Sequence, residues 1–354
     1  MSIFNRPVPG FDRHPYTLTF IYRSPDPIYF SLENLFNEIK AGLSEKYASE
    51  FAVNKVTVPY KSKLNKLLPN MRFVRKRQTD LNHVTGDVHY SILGCSKKNI
   101  NILTIHDCIA LYKYSKKDPR YWIIKWLWYD LPVRKADMVT VISEFTGRDV
   151  TKFTGCTGDK IRVIPNFVDP AFHTSPAGFN AGKPRILFIG TTPNKNLDLL
   201  MDAVAGLPAE LEIVGRPGPE QIHKLQQLKI TYRQSAGLQK HELIQKYIDC
   251  DLLAFPSTYE GFGLPILEAQ AVGRPVLTSF LSPMKEVSGR GACLVDPGNA
   301  DSIRQGLLRI IKDEGYRNEL IREGYENVER YRLEKVIEEY VSLYRDLIAK
   351  KKAI

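Results

Sequence analysis

The sequence predicts an α/β fold of two domains, each a mostly parallel β-sheet covered by helices. The chain has 354 residues, which is more than one compact domain usually holds. Short apolar segments rich in β-branched and aromatic residues alternate along it with segments of helical periodicity. A stretch rich in proline and glycine, residues 169–184, interrupts this alternation before it restarts. We therefore expect one domain over residues 1–172, a linker over 173–184 and a second domain over 185–325.

Each domain is predicted to alternate strands with helices. Apolar residues at helical spacing predict a helix from Phe30 to Tyr47, and Ser143 has the position of an N-cap for a later helix. Residues 301–354 are charged and helical, in two segments that we expect to be separated near Gly315 or Gly324. The expected strands are 17–21, 53–58, 81–84, 100–105, 138–142 and 160–164, then 185–189, 211–214, 230–232, 252–255 and 275–278. Helices are expected in the second domain at 197–204, 221–228, 241–247 and 265–272.

The composition excludes several classes of protein. Apolar residues make up 43% and charged residues 25% of the chain, ordinary globular values that exclude a mainly disordered or fibrous protein. No apolar run approaches the ~18–20 residues of a membrane span, and the N-terminal segment lacks the apolar core of a secretory signal. The five cysteines are scattered without a CxxC pair. We therefore expect reduced thiols in a cytoplasmic protein, with neither a disulfide framework nor a zinc site.

The positive charge is concentrated in the first half of the chain. The net charge is +11, of which residues 1–180 carry +10. The segment Lys61–Arg77 contains seven basic residues and no acidic one, and a second basic cluster, Lys113–Lys125, is interleaved with tyrosine and tryptophan. Three interpretations are open: a solvated basic face over a buried aromatic stripe, an anionic membrane surface or lipid-linked acceptor, and a nucleic acid. We do not expect binding to nucleic acid. Binding to a membrane would make the chain a peripheral protein at the cytoplasmic face of that membrane.

The segment Ser257–Ala269 carries the clearest sign of a binding site. The strand expected at 252–255 is followed by a loop with Gly261 and Gly263, and Pro265 has the favoured first position of a helix. Loop amides and a helix N-terminus then lie at the carboxyl end of a parallel strand, where open α/β sheets bind ligands and where the helix favours phosphate. Dinucleotide, P-loop and histidine-based metal motifs do not assemble in the chain.

Two carboxylates, Glu260 and Glu268, bracket this loop. With Pro265 as the first helical residue, Glu268 falls in the first helical turn and Glu260 in the loop, so both can reach one ligand. Carboxylates accept hydrogen bonds and suit the vicinal hydroxyls of a ribose or a hexose. The alternative is that Glu268 only complements the helix dipole and that Glu260 is a turn residue.

These residues carry a resemblance to a known enzyme family. Glu260 and Glu268, with the intervening GFGLPIL, are similar to the E-x7-E motif of the retaining glycosyltransferases of family 4, the glycosyl transferases group 1. Four further segments resemble parts of that family in the same order along the chain: Thr104–Asp107, Val141–Phe145, Ile161–Asp169 and Phe188–Leu197. The resemblance covers residues 80–300, and five matches in the right order are specific.

The resemblance implies the GT-B fold, in which two Rossmann-like domains face each other across a cleft. The sugar nucleotide would bind mainly to the second domain and the acceptor mainly to the first. A C-terminal helix, here within 326–354, would return to the first domain. The resemblance also implies transfer with retention of anomeric configuration, a nucleotide-sugar co-substrate, and no metal ion or other cofactor.

The resemblance assigns roles to residues of the second domain. Glu260 would bind hydroxyls of the donor sugar, Glu268 the nucleotide ribose and Lys195 the diphosphate. The position of Lys195 also indicates this role without the resemblance, because Lys195 is a cation in the loop between a strand and a helix. The other donor-binding residues that the resemblance implies are Gly190, Thr191, Gly261, Phe262, Gly263 and Leu264.

In the first domain, the resemblance places His106 beside the donor sugar, as a catalytic residue together with Glu260 and Lys195. Asp107, His83 and Gly86 are assigned to the acceptor side. The alternatives are that His106 is a core or surface histidine and that Asp107 is a turn residue.

Two features depart from the family's pattern. Thr191 and Thr192 stand where many members have an arginine that pairs with the lysine on the diphosphate; Arg185 or Arg216 are the candidates to replace it. The segment 23–29 follows the first strand without the Gly-Gly pair of many members, which leaves acceptor binding open.

The function implied is transfer of a hexose from a UDP- or GDP-hexose to a saccharide or a lipid-linked saccharide, in the synthesis of a surface polysaccharide. Two alternatives remain open from the sequence. One is hydrolysis or epimerisation of a sugar nucleotide on the same fold. The other is a basic membrane-binding protein without enzymatic activity.

Overall fold

The structure, a computed structural model, describes residues 14–24 and 31–353, apart from the side chains of Ser31 and Leu32. The chain forms two compact units, the first made of residues 1–165 and 333–354 and the second of residues 166–332. Most of the segment 23–29, noted above for its lack of glycine, lies outside the described residues.

The elements alternate as the sequence predicts. The strands are β1 (Tyr16–Tyr22), β2 (Phe51–Thr57), β3 (Leu81–Val84), β4 (Ile100–Ile105), β5 (Met138–Val141), β6 (Ile161–Val163), β7 (Arg185–Ile189), β8 (Glu210–Val214), β9 (Thr231–Ser235), β10 (Leu252–Phe255), β11 (Val276–Ser279) and β12 (Ala292–Val295). The helices are α1 (Ser31–Lys46), α2 (Leu67–Arg75), α3 (Ile109–Tyr112), α4 (Pro119–Ile124), α5 (Leu131–Lys135), α6 (Glu144–Thr154), α7 (Leu197–Val204), α8 (Pro219–Gln227), α9 (Lys240–Asp249), α10 (Leu264–Val272), α11 (Met284–Ser288), α12 (Ala300–Lys312), α13 (Glu314–Val328) and α14 (Leu333–Lys352).

The first unit is built on a parallel sheet of six strands in the order β2-β1-β3-β4-β5-β6. Every residue of β3 and β4 is buried, as expected of central strands that are covered on both faces. α14 belongs to this unit although it ends the chain, since the ring of its Tyr340 lies 5.9 Å from that of Phe36 and the ring of its Tyr344 lies 5.7 Å from that of Phe51.

The second unit has its own parallel sheet of six strands, in the order β12-β11-β10-β7-β8-β9. β10 and β11 are buried at every position and lie at the centre of a separate hydrophobic core. β12 is absent from the strands expected from the sequence, and it pairs at the edge of the sheet with β11.

The segment between the two units is not a free linker. Residues 166–184 belong to the second unit. The amide of Val168 donates to the carbonyl of Tyr331 (2.9 Å), and the ring of Phe172 packs 5.3 Å from that of Tyr247. The guanidinium of Arg317 lies 4.1 Å from the ring centroid of Phe179. The boundary therefore falls at residue 166, earlier than the expected 172, because tertiary contacts hold this proline-rich segment.

Three helices, α12, α13 and α14, occupy residues 300–352, where the sequence predicts two segments. The first interruption lies at Asp313, whose side chain caps α13 by accepting from the amide of Tyr316 (2.9 Å). Gly324 does not interrupt a helix; it lies inside α13, where a Cβ atom would come within 3.0 Å of Gln270 Cγ on α10. Glycine is needed here for close helix packing.

Two further observations concern the whole of the described chain. The five cysteines are buried. Within residues 14–24 and 31–353, no helix combines the length and the apolar character needed to cross a bilayer.

Candidate functional site

The strand order of the second unit defines where a ligand can bind. β7 lies between β10 and β8, so the chain leaves the carboxyl end of β7 towards one side of the sheet and that of β10 towards the other. This order is the one found in dinucleotide-binding sheets, in which ligands occupy the crevice at the point of reversal. We call this place the β7–β10 switch point; it is formed by residues 190–196 and 256–263.

The loop after β7 is shaped by Gly190. Its φ of +88° is favourable only for glycine, and a Cβ atom would lie 3.1 Å from Cε and Cγ of Lys195. Gly190 therefore lets the alkyl chain of Lys195 cross the end of the strand. The absence of a side chain at Gly190 thus leaves room for the side chain of Lys195.

Hydrogen bonds tie the loop after β7 to the loop after β10. Asn194 Nδ2 donates to the carbonyl of Tyr259 (3.0 Å), and the amide of Thr258 donates to the carbonyl of Asn194 (2.8 Å). Asn196 Nδ2 donates to the carbonyls of Pro256 (3.0 Å) and Pro297 (2.6 Å). These bonds fix the two loops relative to each other and so preorganise the switch point.

An ion pair lies at the centre of the switch point. Nζ of Lys195 is 2.6 Å from Oε1 of Glu260, and the two side chains are 20% and 13% exposed. The same ammonium lies 4.8 Å from the ring centroid of Phe255, at the end of β10. A partly buried pair of this kind is less screened than a surface pair, and its charges remain available to a ligand on the open side.

The N-terminus of α10 faces the same place. Gly263, its N-cap, has a φ of +112°. The side chain of Phe262 is buried, with its ring 5.6 Å from that of Tyr331, which anchors the loop before the helix. Pro265 has no amide hydrogen, and the amide of Ile266 donates to the carbonyl of Gly263 (3.0 Å), so the amide of Leu264 is the donor that the start of α10 offers at the carboxyl end of the sheet.

Glu268 differs from its expected position. α10 begins at Leu264, so Glu268 lies in the second helical turn and its stabilising effect on the helix dipole is small. The hydroxyl of Tyr247 donates to its Oε2 (2.5 Å). Burial, reinforced by the charge of Asp169, raises the pKa of Glu268 to about 7, while Tyr247 and Lys195 act against this rise. The other oxygen, Oε1, is the acceptor that Glu268 can offer to a ligand.

Arg185 and Arg216, the two candidates for the arginine that binds the diphosphate beside Lys195, lie at opposite edges of the sheet, one strand length apart. Arg185 begins β7 and donates to the carbonyl of Asp249 (3.1 Å), so it lies at the amino edge of the sheet, about 15 Å from the switch point. Arg216 follows β8 at the carboxyl edge and is exposed, and its carbonyl accepts from Thr191 Oγ1 (2.9 Å). Only Arg216 is therefore placed beside the loop that holds Lys195.

The first unit has a switch point of its own, between β1 and β3. His106, which follows β4, donates from Nε2 to the carbonyl of Thr85 (2.8 Å), the residue after β3. Its Nδ1 is buried and has no hydrogen-bond partner within the described part of the chain. Burial lowers the pKa of His106, so the ring is neutral and Nδ1 offers an electron pair.

The three residues assigned to the acceptor side lie in different surroundings in the first unit. His83 is completely buried, between Tyr344 (2.8 Å) and Thr104 (2.7 Å), and cannot reach a ligand in this structure. Asp107 accepts from the amide of Ile109 (2.9 Å) at the start of α3, as a turn residue does. Among the described residues, the atoms that a Cβ at Gly86 would meet are those of Arg23, at ordinary contact distance (3.9 Å).

Sequence reasoning missed Tyr247, Asn194 and Asn196. The partner of Tyr247 is 21 residues away, and no local pattern signals such a contact. Asn196 has a φ of +69° just before α7, a left-handed conformation that asparagine tolerates better than most residues. An asparagine directly before a predicted helix is therefore a signal that the sequence contains. In residues 14–24 and 31–353 no group of three or more histidine, cysteine and carboxylate side chains could hold a metal ion.

Comparison with known families decides the classification. A family model described as Glycosyl transferases group 1 matches residues 172–327, and one described as Glycosyltransferase Family 4 matches residues 47–172. Together the two models cover every strand of both sheets except β1. The chain belongs to the glycosyl transferases of group 1. The β7–β10 switch point of this group 1 glycosyltransferase lies entirely within residues 172–327, the first of these two matches.

Two curated relatives of this group 1 glycosyltransferase are named for mannosyl transfer. The serotype-specific mannosyltransferase WbdA of Escherichia coli is 29% identical over 210 residues, 52% of this chain and 26% of the relative. The O-antigen chain mannosyltransferase B of Escherichia coli is 26% identical over 271 residues, 69% of this chain and 70% of the relative. The chain thus spans about a quarter of the length of WbdA.

Solved structures confirm the fold. Sucrose-phosphate synthase from Thermosynechococcus elongatus has a TM-score of 0.79 at 20% identity, covering 95% of this chain and 100% of that one. HepE of Anabaena, in complex with UDP and glucose, has a TM-score of 0.73 at 16% identity, covering 94% and 100%. The group 1 glycosyltransferase therefore has the GT-B fold of two Rossmann-like α/β units, as predicted from the sequence.

Proposed function

We propose that the chain transfers a hexose from a nucleoside diphosphate sugar to a saccharide or lipid-linked saccharide, with retention of anomeric configuration. The observation that carries the proposal is the Lys195–Glu260 ion pair at the β7–β10 switch point, beside the N-terminus of α10. A cation and helix amides suit the diphosphate, and an adjacent carboxylate suits the sugar hydroxyls. Membership of a family of glycosyltransferases supports the same conclusion.

The residues divide the donor between them. Lys195 and the amides of Gly261 to Leu264 bind the diphosphate, Gly190 and Thr191 line its approach, and Glu260 accepts hydrogen bonds from the sugar. Oε1 of Glu268 accepts from the ribose while Tyr247 holds Oε2. His106 offers Nδ1 to a sugar hydroxyl, since that atom is buried without a partner among the described residues.

The reaction follows from where charge develops. The bond between the anomeric carbon and the diphosphate oxygen breaks, and negative charge accumulates on the leaving group. Lys195 and the helix N-terminus stabilise that charge by preorganised electrostatics. Positive charge builds on the ring as an oxocarbenium-like species. The acceptor oxygen attacks from the same face, and its proton passes to a diphosphate oxygen. The cation and the helix amides supply the positive charge that a metal would provide, so we expect metal-independent transfer.

The sugar and the acceptor are proposed from the relatives' names. Mannose is the sugar in the names of WbdA and the O-antigen chain mannosyltransferase B, and the second name specifies an O-antigen chain. We therefore propose GDP-mannose as the first donor to test and an oligosaccharide of a surface polysaccharide as acceptor. UDP-hexoses come next, because UDP is bound in the structure of HepE.

The test is an assay of transfer and of its stereochemistry. The protein is incubated in EDTA with GDP-mannose or a UDP-hexose and with candidate oligosaccharides, and the linkage of the product is read by NMR coupling constants. We expect acceptor-dependent release of the nucleoside diphosphate and a product with the donor's anomeric configuration. Release of free sugar at the same rate without acceptor would favour hydrolysis, interconversion of the nucleotide sugar would favour epimerisation, and an inverted linkage would contradict retention.

A further inference from the structure

The first unit carries an apolar surface that is unusual for its exposure. Among the described residues, ten large apolar side chains are exposed, and eight of them come from residues 60–126. Leu64 and Leu68 are 62% and 61% exposed, and Trp122 and Trp126 are 54% and 56% exposed. We call the surface formed by these four side chains, with the basic residues around them, the Leu–Trp surface.

Helical geometry presents these side chains in pairs. Leu64 and Leu68 are four residues apart across the start of α2, while Leu67 and Val74 of the same segment are buried. Trp122 and Trp126 are likewise four apart, where α4 continues into a π-helical segment, Lys125–Asp130. Each segment therefore has one face in the core and one apolar face in solvent.

The two segments pack on the same residue. The hydroxyl of Tyr90 accepts from Asn70 Nδ2 of α2 (2.8 Å), and its ring lies 5.0 Å from that of Trp128 in the π-helical segment. Trp128 itself donates to the carbonyl of Asp87 (2.9 Å) and is only partly exposed. The exposed leucines and tryptophans thus belong to neighbouring elements of one unit.

The charges around the Leu–Trp surface are positive. Lys61, Lys63, Arg72 and Arg75 are exposed, and no acidic residue lies between Lys61 and Arg77. In the second segment the acidic residues pair locally: Asp118 with Arg120 (2.6 Å) and Asp130 with Lys125 (2.6 Å). Basic residues therefore outnumber acidic ones around the exposed apolar side chains.

We infer that the Leu–Trp surface docks on an anionic lipid bilayer, with its leucines and tryptophans at the level of the headgroups and its lysines and arginines against lipid phosphates. Tryptophan prefers this interfacial depth, and basic residues near it are attracted to anionic lipid. A solvated basic face over a buried aromatic stripe does not describe this surface, because Trp122 and Trp126 are exposed. The exposed Leu64 and Leu68 favour lipid over nucleic acid as the partner, because nucleic-acid bases stack on aromatic rings and these two side chains are aliphatic.

Tryptophan fluorescence gives a direct test of this docking. The chain has three tryptophans, and all of them lie at residues 122–128. The intact protein is mixed with vesicles of phosphatidylcholine, with or without phosphatidylglycerol, and followed by emission wavelength and by flotation. We expect a blue shift and flotation only with phosphatidylglycerol, reversed by high salt, and quenching of the emission by brominated acyl chains.

Matched variants locate the contact. Leu64→Ser with Leu68→Ser removes two apolar contacts, and Phe280→Ser with Leu294→Ser removes two exposed apolar side chains of the second unit. We expect the first pair to lower vesicle affinity at least tenfold and the second pair to leave it unchanged. Arg72→Ala and Arg75→Ala should each lower it about fivefold. Thermal denaturation of each variant checks that it is folded.

Three results would overturn the inference. They are no blue shift with anionic vesicles, equal loss of affinity in the two serine pairs, and a blue shift with single-stranded RNA in the absence of vesicle binding. None of them bears on the donor site, because the vesicle measurements contain no sugar nucleotide.

Discussion

Nζ of Lys195 lies 2.6 Å from Oε1 of Glu260 where the loops after β7 and β10 diverge. The pair makes the switch point electrically neutral in the absence of a ligand and holds both side chains in place. An incoming diphosphate would share the lysine, and the carboxylate would then be free to accept hydrogen bonds from the sugar. In the proposed function, this one ion pair would prepare the binding of both the diphosphate and the sugar of the donor.

Replacing the carboxylate tests its role towards the sugar. We expect Glu260→Ala to lower kcat/KM at least about a hundredfold, because a contact of this kind contributes on the order of 2–4 kcal/mol in the transition state. Glu260→Gln keeps the size of the side chain but loses the charge, and it should remain similarly impaired. Steady-state kinetics with the identified donor provide the measurement. Unchanged turnover in both variants would refute the assignment.

Gly190 offers a test of backbone geometry. In Gly190→Ala the new Cβ atom would press on the stem of Lys195 at 3.1 Å, and the positive φ adds strain of about 1–2 kcal/mol. Gly206 has a similar φ of +73° in the same unit, with open space around it. Both alanine variants should melt at lower temperature, but only Gly190→Ala should lose donor affinity. Equal donor affinities, measured by titration calorimetry, would contradict the role given to Gly190.

Glu268 should make stability depend on pH. Its pKa is raised from 4.5 to about 7, so between these values the native state binds more protons than the unfolded state. The free energy of unfolding therefore falls as the pH rises from about 4.5 to about 7, by an amount on the order of 3 kcal/mol, and this contribution is constant above that range. Urea denaturation of the protein and of Glu268→Gln at several pH values measures the difference.

The matched control for Glu268 is Glu220→Gln, which changes an exposed carboxylate of the same unit. The free energy of unfolding of Glu268→Gln minus that of the unsubstituted protein should increase as the pH rises towards 7, and it should increase more than the same quantity for Glu220→Gln. A constant difference for both would show that the pKa of Glu268 is not raised.

Arg216 is the cation expected to assist Lys195. It lies at the carboxyl edge of the sheet, where its carbonyl binds Thr191, whereas Arg185 lies at the other edge. We expect Arg216→Ala to weaken nucleoside diphosphate binding about tenfold, the size of one charge-assisted hydrogen bond. Arg185→Ala should leave that affinity unchanged. The reverse order of effects would show that the diphosphate lies elsewhere.

The sequence predicts the two sheets well because parallel strands buried on both faces are short apolar runs, such as Leu252–Phe255. It predicts that Lys195 and Glu260 lie at the same edge of one sheet, because the loops that carry them follow two such strands. It also predicts that residues 301–354 are helical. These features depend on local pattern and on the edge of the sheet at which a strand ends.

Contacts between distant parts of the chain explain the differences. His83 resembles a ligand-binding residue in the sequence, but Tyr344, 261 residues later, covers it. Residues 173–184 have the composition of a linker, yet Arg274 Nη1 donates to the carbonyl of Ser175 (2.9 Å) and holds them on the second unit. Tyr247 reaches Glu268 from α9. No local pattern carries such information.

The most direct test of the account is the affinity of the protein for UDP and GDP, measured by titration calorimetry in EDTA. Lys195→Ala is compared with Lys224→Ala, a lysine of the same unit that is paired with Asp202 at 2.8 Å outside the switch point. We predict saturable, metal-independent binding of one nucleotide, weakened at least about tenfold by Lys195→Ala and unaffected by Lys224→Ala. Equal affinities in the two variants, or no binding of either nucleotide, would contradict a donor site at Lys195 and Glu260.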